Sequence, residues 1–274
     1  MFSKTLNIYE VASEAIKHGK DFTLCIIVEK QGSAPRDVGA KMIVFPDGTK
    51  IGTLGGGTFE RLVIKEALKA LEEGKSKAVV FSFMEKSPPG TIPTGLICGG
   101  LAKVYIDVVK FKPTIYILGA GHIAKPLGDL ANTLGYPIVV VDDNQDLANK
   151  ERYPYAKKII VDEWDSALEK VNPKEGDLIV IVYGEVEKDY KALKKAINSK
   201  ASYIGLLGSR RKVKIFIERL RSEGIDVDKL RGRLYAPIGL DLNADTPEEI
   251  AVSIMAEILK VTRKARGEHL TLLK

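Results

Sequence analysis

From Pro113 to about residue 207 the chain alternates short apolar runs with helical or turn-like stretches, and this alternation constrains the fold more than any other feature. Ile115–Leu118, Ile138–Val141, Lys158–Val161, Leu178–Tyr183 and Ser202–Leu207 read as strands. Strands that alternate with helices in this way pair in parallel, so a doubly wound sheet is expected. A last helix should start at Thr246-Pro247-Glu248-Glu249, a capping box with proline at the first helical position, and bury Ile250, Ile254 and Ile258.

The residues before Lys112-Pro113 follow another pattern. Leu6, Tyr9, Val11, Ala12, Ala15 and Ile16 recur at helical spacing, with Gly19 placed to end the helix. Phe22–Val28 and Lys41–Phe45 read as strands joined through the loop Gln31–Arg36, and Pro46-Asp47-Gly48 is a turn. Thr58–Leu71 is helical in pattern, while Ala78–Phe83 and Leu101–Val109 are strands around an irregular excursion at Pro88–Pro93. The expected fold class is therefore α/β: a mixed α+β domain over residues 1–111, then a Rossmann-like doubly wound parallel sheet with its C-terminal helix over 112–274. A chain of 274 residues with 45% hydrophobic content can bury two such cores.

Several functional classes fall away. No run of about 18 apolar residues is free of charge, and Met1-Phe2-Ser3-Lys4 leads into a polar segment, so a cytoplasmic protein without a membrane span is expected. Two cysteines and three histidines make neither a disulfide framework nor a zinc cluster. The net charge of +6 is concentrated in residues 205–235, where nine Lys/Arg face four Asp/Glu. Aromatic residues are not interleaved with those cations, which argues against nucleic acid as the partner.

Four segments carry chemistry. Gly119-Ala120-Gly121-His122-Ile123-Ala124 is a G-x-G-x-x-A fingerprint between a strand and a helix, a context in which backbone N–H groups receive a pyrophosphate. Gly119, Gly121 and His122 are the expected nucleotide contacts, with Asp142 on the ribose; a Rossmann fold with a vestigial site is the alternative. Gly55, Gly56 and Gly57 open a second helix, and three consecutive glycines favour close approach of a ligand over a merely tight joint. Glu60 either caps that helix or meets a ligand donor. In the third segment Ser209, Arg210, Arg211 and Lys212 follow Gly205 and Gly208 without the spacing of a Walker A loop. They are expected to bind an anion, a phosphate or an acidic partner, unless they form a solvated helix face. In the fourth, Cys98 sits beside Gly99 and Gly100 as a candidate soft metal ligand or an inert loop thiol, whereas Cys25 reads as core.

Taken in order, these segments resemble the xanthine dehydrogenase accessory proteins of the XdhC/CoxI family over nearly the whole chain. The resemblance rests on Gly32-Ser33-Ala34-Pro35-Arg36, Gly39-Ala40-Lys41-Met42, Gly55-Gly56-Gly57 with Glu60, and Cys98-Gly99-Gly100. It continues through Gly119–His122, Val141-Asp142-Asp143, Tyr203–Arg211, and Pro237–Leu240 with Thr246–Ser253. Two places depart from the family pattern: Asn144, and Tyr183-Gly184-Glu185-Val186-Glu187.

The resemblance implies a non-catalytic chaperone that binds the molybdenum cofactor, assists its sulfuration with a cysteine desulfurase, and inserts it into a molybdenum hydroxylase such as xanthine dehydrogenase. Ser33, Pro35, Arg36, Gly55, Gly56, Gly57, Glu60, Cys98, Gly99 and Gly100 would hold the cofactor, with Cys98 touching molybdenum. No nucleic acid or membrane partner is implied, and a homodimer is compatible. The rival reading is an NAD(P)-dependent oxidoreductase built on the Rossmann domain, weakened because no His or Lys acid/base follows the fifth strand.

Overall fold

The computed structural model describes residues 7–273. Leu6 and the Met1–Lys4 opening, on which two of the sequence expectations rest, lie outside the described residues. The chain divides into two compact units, Met1–Phe111 and Lys112–Lys274.

In the first unit the elements run α1 (Ile8–Lys17), β1 (Phe22–Gln31), β2 (Lys41–Val44), β3 (Lys50–Gly52), α2 (Gly57–Glu73), β4 (Lys77–Ser82), β5 (Ile92–Pro93) and β6 (Leu101–Val109). They form one sheet of order β3-β2-β1-β6-β4-β5. Its pairings are antiparallel except for the short β4–β5 edge. Cys25 and Ile27 on β1, Met42 and Val44 on β2, and Ala102, Val104 and Ile106 on β6 alternate onto the face that buries α2. Phe59 of α2 seals that face edge-on to Phe81 and Phe83, with ring centroids 5.3 and 5.0 Å apart. Around Ala15, Phe22 and Ile43, α1 covers a smaller cluster.

The second unit contains β7 (Ile115–Leu118), α3 (Ala124–Thr133), β8 (Ile138–Asp142), β9 (Lys158–Val161), α4 (Trp164–Glu169) and β10 (Leu178–Ile181). It continues with α5 (Val186–Ile197), β11 (Tyr203–Leu206), α6 (Arg210–Ser222), β12 (Leu234–Tyr235) and α7 (Pro247–Thr262). Every strand pairs in parallel, in the order β9-β8-β7-β10-β11-β12. In chain order this is 3-2-1-4-5-6, the doubly wound Rossmann arrangement, with its switch point between β7 and β10. β8, β10 and β11 are buried along their whole length because helices cover both faces. One core layer includes residues of α4, α5 and α6, the other residues of α3 and α7.

The capping box forms as the sequence specifies: Thr246 accepts from Glu249 N at 3.2 Å, and Glu249 accepts from Thr246 N at 3.1 Å. Ile254 and Ile258 are buried, whereas Ile250 is only half-buried. In the second unit two strands stop short of their expected ends. β10 finishes at Ile181 and β11 at Leu206, because Tyr183 and Leu207 belong to the loops that turn into α5 and α6. Among the described residues no helix is long and apolar enough to cross a membrane, and no group of three His, Cys, Asp or Glu side chains is placed to hold a metal ion.

Candidate functional site

In the first unit three loops separated in sequence mesh through backbone. A Cβ on Gly32 would lie 2.7 Å from Gly99 O, and one on Gly100 would lie 2.3 Å from Ser33 O. A Cβ on Gly55 would come within 2.3 Å of the Pro35 ring. The loops at 31–36, 53–57 and 98–100 therefore touch, which brings Ser33, Pro35, Gly55, Gly99 and Gly100 together. Cys98 N and Gly99 N both donate to Phe83 O at 2.9 Å, fixing the thiol-bearing turn to the end of β4. Cys98 and Arg36 are exposed, and a Cβ at Gly56, Gly57 or Gly99 would meet nothing within 4 Å. Cys25 is wholly buried, and burial pushes its thiol up to about 12.

Glu60 corrects the sequence reading of this site. Only 3% exposed, it reaches back from the first turn of α2 into the preceding loop. Its Oε1 accepts from Leu54 N at 2.8 Å, Gly55 N at 3.1 Å and Gly56 N at 2.7 Å, and also from the Thr53 hydroxyl. Lys50 donates to Oε2. Burial alone would raise this carboxyl, but Lys50, Thr53 and the amides of Gly56 and Leu54 outweigh it and hold it at about 2. The amides expected to meet a ligand are thus occupied by the chain's own carboxylate. Glu60 shapes the loop from behind instead of facing a ligand, and Gly55 is glycine because Pro35 lies against it.

The second unit repeats the device with a different outcome. Gly119 has φ +101°, and a Cβ there would lie 2.4 Å from the Tyr183 Cα, so the β10 loop by itself requires glycine at this position. Gly121 faces open space, and His122 is exposed. Asp142 is 2% exposed, accepting from Ala120 N at 2.5 Å and Asn144 N at 2.8 Å. It therefore pins the fingerprint loop to the end of β8, and the expected ribose contact falls away. Burial raises the Asp142 carboxyl by more than its two amide bonds lower it, and Asp143 adds to the rise.

Asp143 is the acid that faces outward. It accepts from the Tyr183 hydroxyl and, at 2.6 Å, from Lys188 Nζ, which also reaches the Tyr183 oxygen at 2.6 Å. Burial works to raise Asp143, but Lys188 and Tyr183 prevail and lower it. Burial, with Asp143 beside it, pushes the Tyr183 phenol up to about 12. Trp164 packs on Tyr183 with ring centroids 4.4 Å apart, and its indole N–H donates to Lys188 O at 3.1 Å. These groups border a cavity of about 490 Å³ lined by Asp143, Glu163, Trp164, Asp165, Lys188 and Lys191. It lies beyond the carboxyl ends of β8 and β9, to one side of the switch point between β7 and β10. The sequence reading named Asp143 only within a family motif and Tyr183 only within a departure from the family pattern, and gave Lys188 no role; the signal available was a second acid at a strand end.

The cationic segment is also rearranged. Ser209 caps α6 by accepting from Lys212 N at 3.2 Å. Lys212 Nζ folds inward to Asp189, whose side chain is 1% exposed, and to Leu207 O at 3.2 Å. Lys212 and the Ser209 hydroxyl are therefore committed within the chain, and of the expected anion cluster only Arg210 and Arg211 project as exposed cations. Gly205 makes room for Ile238, and Gly239 for Ser253, whose hydroxyl donates to Leu240 O at 2.6 Å.

Residues 115–258 match the XdhC Rossmann domain, and residues 15–83 match the XdhC and CoxI family. An Escherichia coli protein named YqeB, itself uncharacterized, is 35% identical over 263 residues, 96% of this chain and 47% of its own length. A Bacillus subtilis protein named as a probable xanthine dehydrogenase subunit is 29% identical over 59% of this chain and 46% of its own. The chain thus spans about half the length of these two relatives. The Escherichia coli molybdenum cofactor insertion chaperone PaoD is 22% identical over 93% of this chain and 87% of its own. A solved Bacillus halodurans protein described as a xanthine dehydrogenase, 22% identical, superposes with a TM-score of 0.50 over 98% of both chains and shares the fold.

Proposed function

Because the chain belongs to the XdhC and CoxI family, we propose that it binds the molybdenum cofactor and delivers it to a molybdenum hydroxylase of the xanthine dehydrogenase type. The observation that carries this reading is the meeting of three glycine loops beside one exposed thiol. Thiolate suits a soft metal, and the open positions at Gly56, Gly57 and Gly99 leave space for a bulky pterin. Arg36 supplies an exposed cation for the cofactor's phosphate, since the Gly55 and Gly56 amides are spent on Glu60. Ser33, Pro35 and Gly100 act as the frame of the site. An accessible thiol at its lip leaves the metal's exchangeable ligand within reach of a cysteine desulfurase, the partner that sulfuration requires.

The test is titration of isolated molybdenum cofactor into wild-type protein and Cys98→Ser, followed by absorption. Wild type should saturate, and the variant should bind roughly tenfold more weakly, a difference of about 1.4 kcal/mol. Absence of binding by wild type would overturn the chaperone reading; equal binding by both proteins would remove the thiol from the site.

In the second unit the cavity beside Asp143 is read as a nucleotide site, held in common by the chaperone and the rival oxidoreductase reading. The oxidoreductase is the weaker of the two. A proton-transfer group works best with a pKa near the operating pH, whereas here the Tyr183 phenol stands at about 12 and the Lys188 ammonium is raised above its ordinary value by Asp143 and Tyr183.

A further inference from the structure

We propose that the cavity beyond β8 and β9 takes a nucleotide with an unphosphorylated ribose, Asp143 accepting the ribose hydroxyls, and rejects a 2′-phosphate. The inference rests on the reading of this cavity as a nucleotide site and adds its selectivity. Rossmann sheets hold the adenosine ribose at the end of the second strand, where an acid accepts from the 2′-hydroxyl or a nearby arginine receives a 2′-phosphate. Here β8 is that strand, and two acids end it. Asp142 is sealed behind the fingerprint loop, which leaves Asp143, with 23% of its side chain exposed, as the one on the cavity wall.

The electrostatics of the wall decide between the two ribose types. Asp143, Glu163 and Asp165 outnumber Lys188 and Lys191, and Asp142 stands directly behind. Both lysines are already engaged. Lys188 holds Asp143 at 2.6 Å and Glu185 at 3.6 Å, and Lys191 holds Asp165 at 2.8 Å. A 2′-phosphate would have to break these pairs while sitting against Glu163, which neither lysine holds. The residues that follow Asp143 are Asn144, Gln145 and Asp146, which bring no cation. Asn144 N is itself tied to Asp142. A neutral diol meets none of these penalties: it donates to Asp143 in place of the Tyr183 hydroxyl and accepts from Lys188.

Glu163 adds a handle for testing. It precedes α4, its side chain makes no capping bond, and it is exposed, so replacing it costs the fold little. The experiment is calorimetric titration of the full chain with NAD⁺ and with NADP⁺ at low salt, for wild type, Asp143→Asn and Glu163→Gln. Like charges brought together at a binding surface oppose association, so NADP⁺ should bind roughly tenfold or more weakly than NAD⁺. Asp143→Asn should weaken NAD⁺ and, by removing a repelling charge and releasing Lys188, strengthen NADP⁺. Glu163→Gln should strengthen NADP⁺ more than NAD⁺ and so narrow the gap. Equal or tighter binding of NADP⁺ by wild type would overturn the selectivity while leaving the nucleotide reading intact. If neither dinucleotide binds, the nucleotide reading itself fails and the proposal falls with it.

Discussion

Each unit holds a glycine loop with a carboxylate from its own chain, and the two carboxylates respond in opposite directions. Glu60 gathers three amides, a hydroxyl and an ammonium, and its acidity is held at about 2. Asp142 gathers two amides beside another acid, and its carboxyl is raised. The number and charge of the donors, set against burial, separate the two cases. A glycine loop reports close backbone approach, and what approaches can be the protein itself.

The largest effect expected of this contrast is in the first unit. Glu60→Gln puts an NH2 donor against Lys50 and turns three charge-assisted amide bonds into neutral ones, and should cost about 3 kcal/mol. The pH dependence should follow. A carboxyl lowered on folding contributes stability that is present above its unfolded value near 4.5 and is lost as pH falls toward about 2. Wild type should therefore lose stability across that window, and the variant should lose less. The chain's single tryptophan, Trp164, lies in the second unit, so circular dichroism should register the change in the first unit while tryptophan fluorescence need not. Equal stability of variant and wild type at pH 7 would remove Glu60 from its role as the pin of the loop.

Next in size is Cys25→Ser. A hydroxyl in the wholly buried β1 position should cost about 1–3 kcal/mol, measured by guanidinium unfolding. Cys25 should also resist alkylation in the native protein while Cys98 reacts.

The smallest effect belongs to Asp142→Asn, at about 1 kcal/mol, because the lost acceptor is offset by relief of a buried charge. Its pH signature has the opposite sign. A carboxyl raised on folding contributes stability that is present below its unfolded value near 3.8 and is lost as pH rises through the folded value. The variant should lack that loss in tryptophan-monitored unfolding. A shift in the same direction as Glu60→Gln would break the comparison.

The fold was legible where periodicity is long or punctuation strong. β6, β7 and β9 end where their apolar runs end, and α7 begins at its capping box. β3, β5 and β12 have two or three residues each, too few for a period, and exist through pairing with longer neighbours. The sites were legible as positions and not as directions. Asp142 and Asp143 are adjacent acids whose side chains lie within hydrogen-bonding reach of each other, and spacing does not say which of them faces the cavity. Lys212 reads as one of four anion ligands, yet its long side chain folds back to Asp189, a partner supplied by another helix. Glu60 likewise finds its donors in the loop before its own helix.

The meshing of Gly32 against Gly99 and of Gly100 against Ser33 also governs which substitutions the molecule tolerates. The neighbours there are carbonyl oxygens and backbone nitrogens, which have no flexible far end to swing aside. A side chain at either position would have to displace β1 or the thiol turn as a whole. In a saturation library these two glycines would read as nearly monomorphic whether or not the cargo is under selection. Cys98 is exposed, and if it holds the cofactor as proposed it would lose its alternatives only when delivery is selected. Frozen neighbours around a freely varying residue are what a rigid turn looks like when only its exposed side chain is open to change.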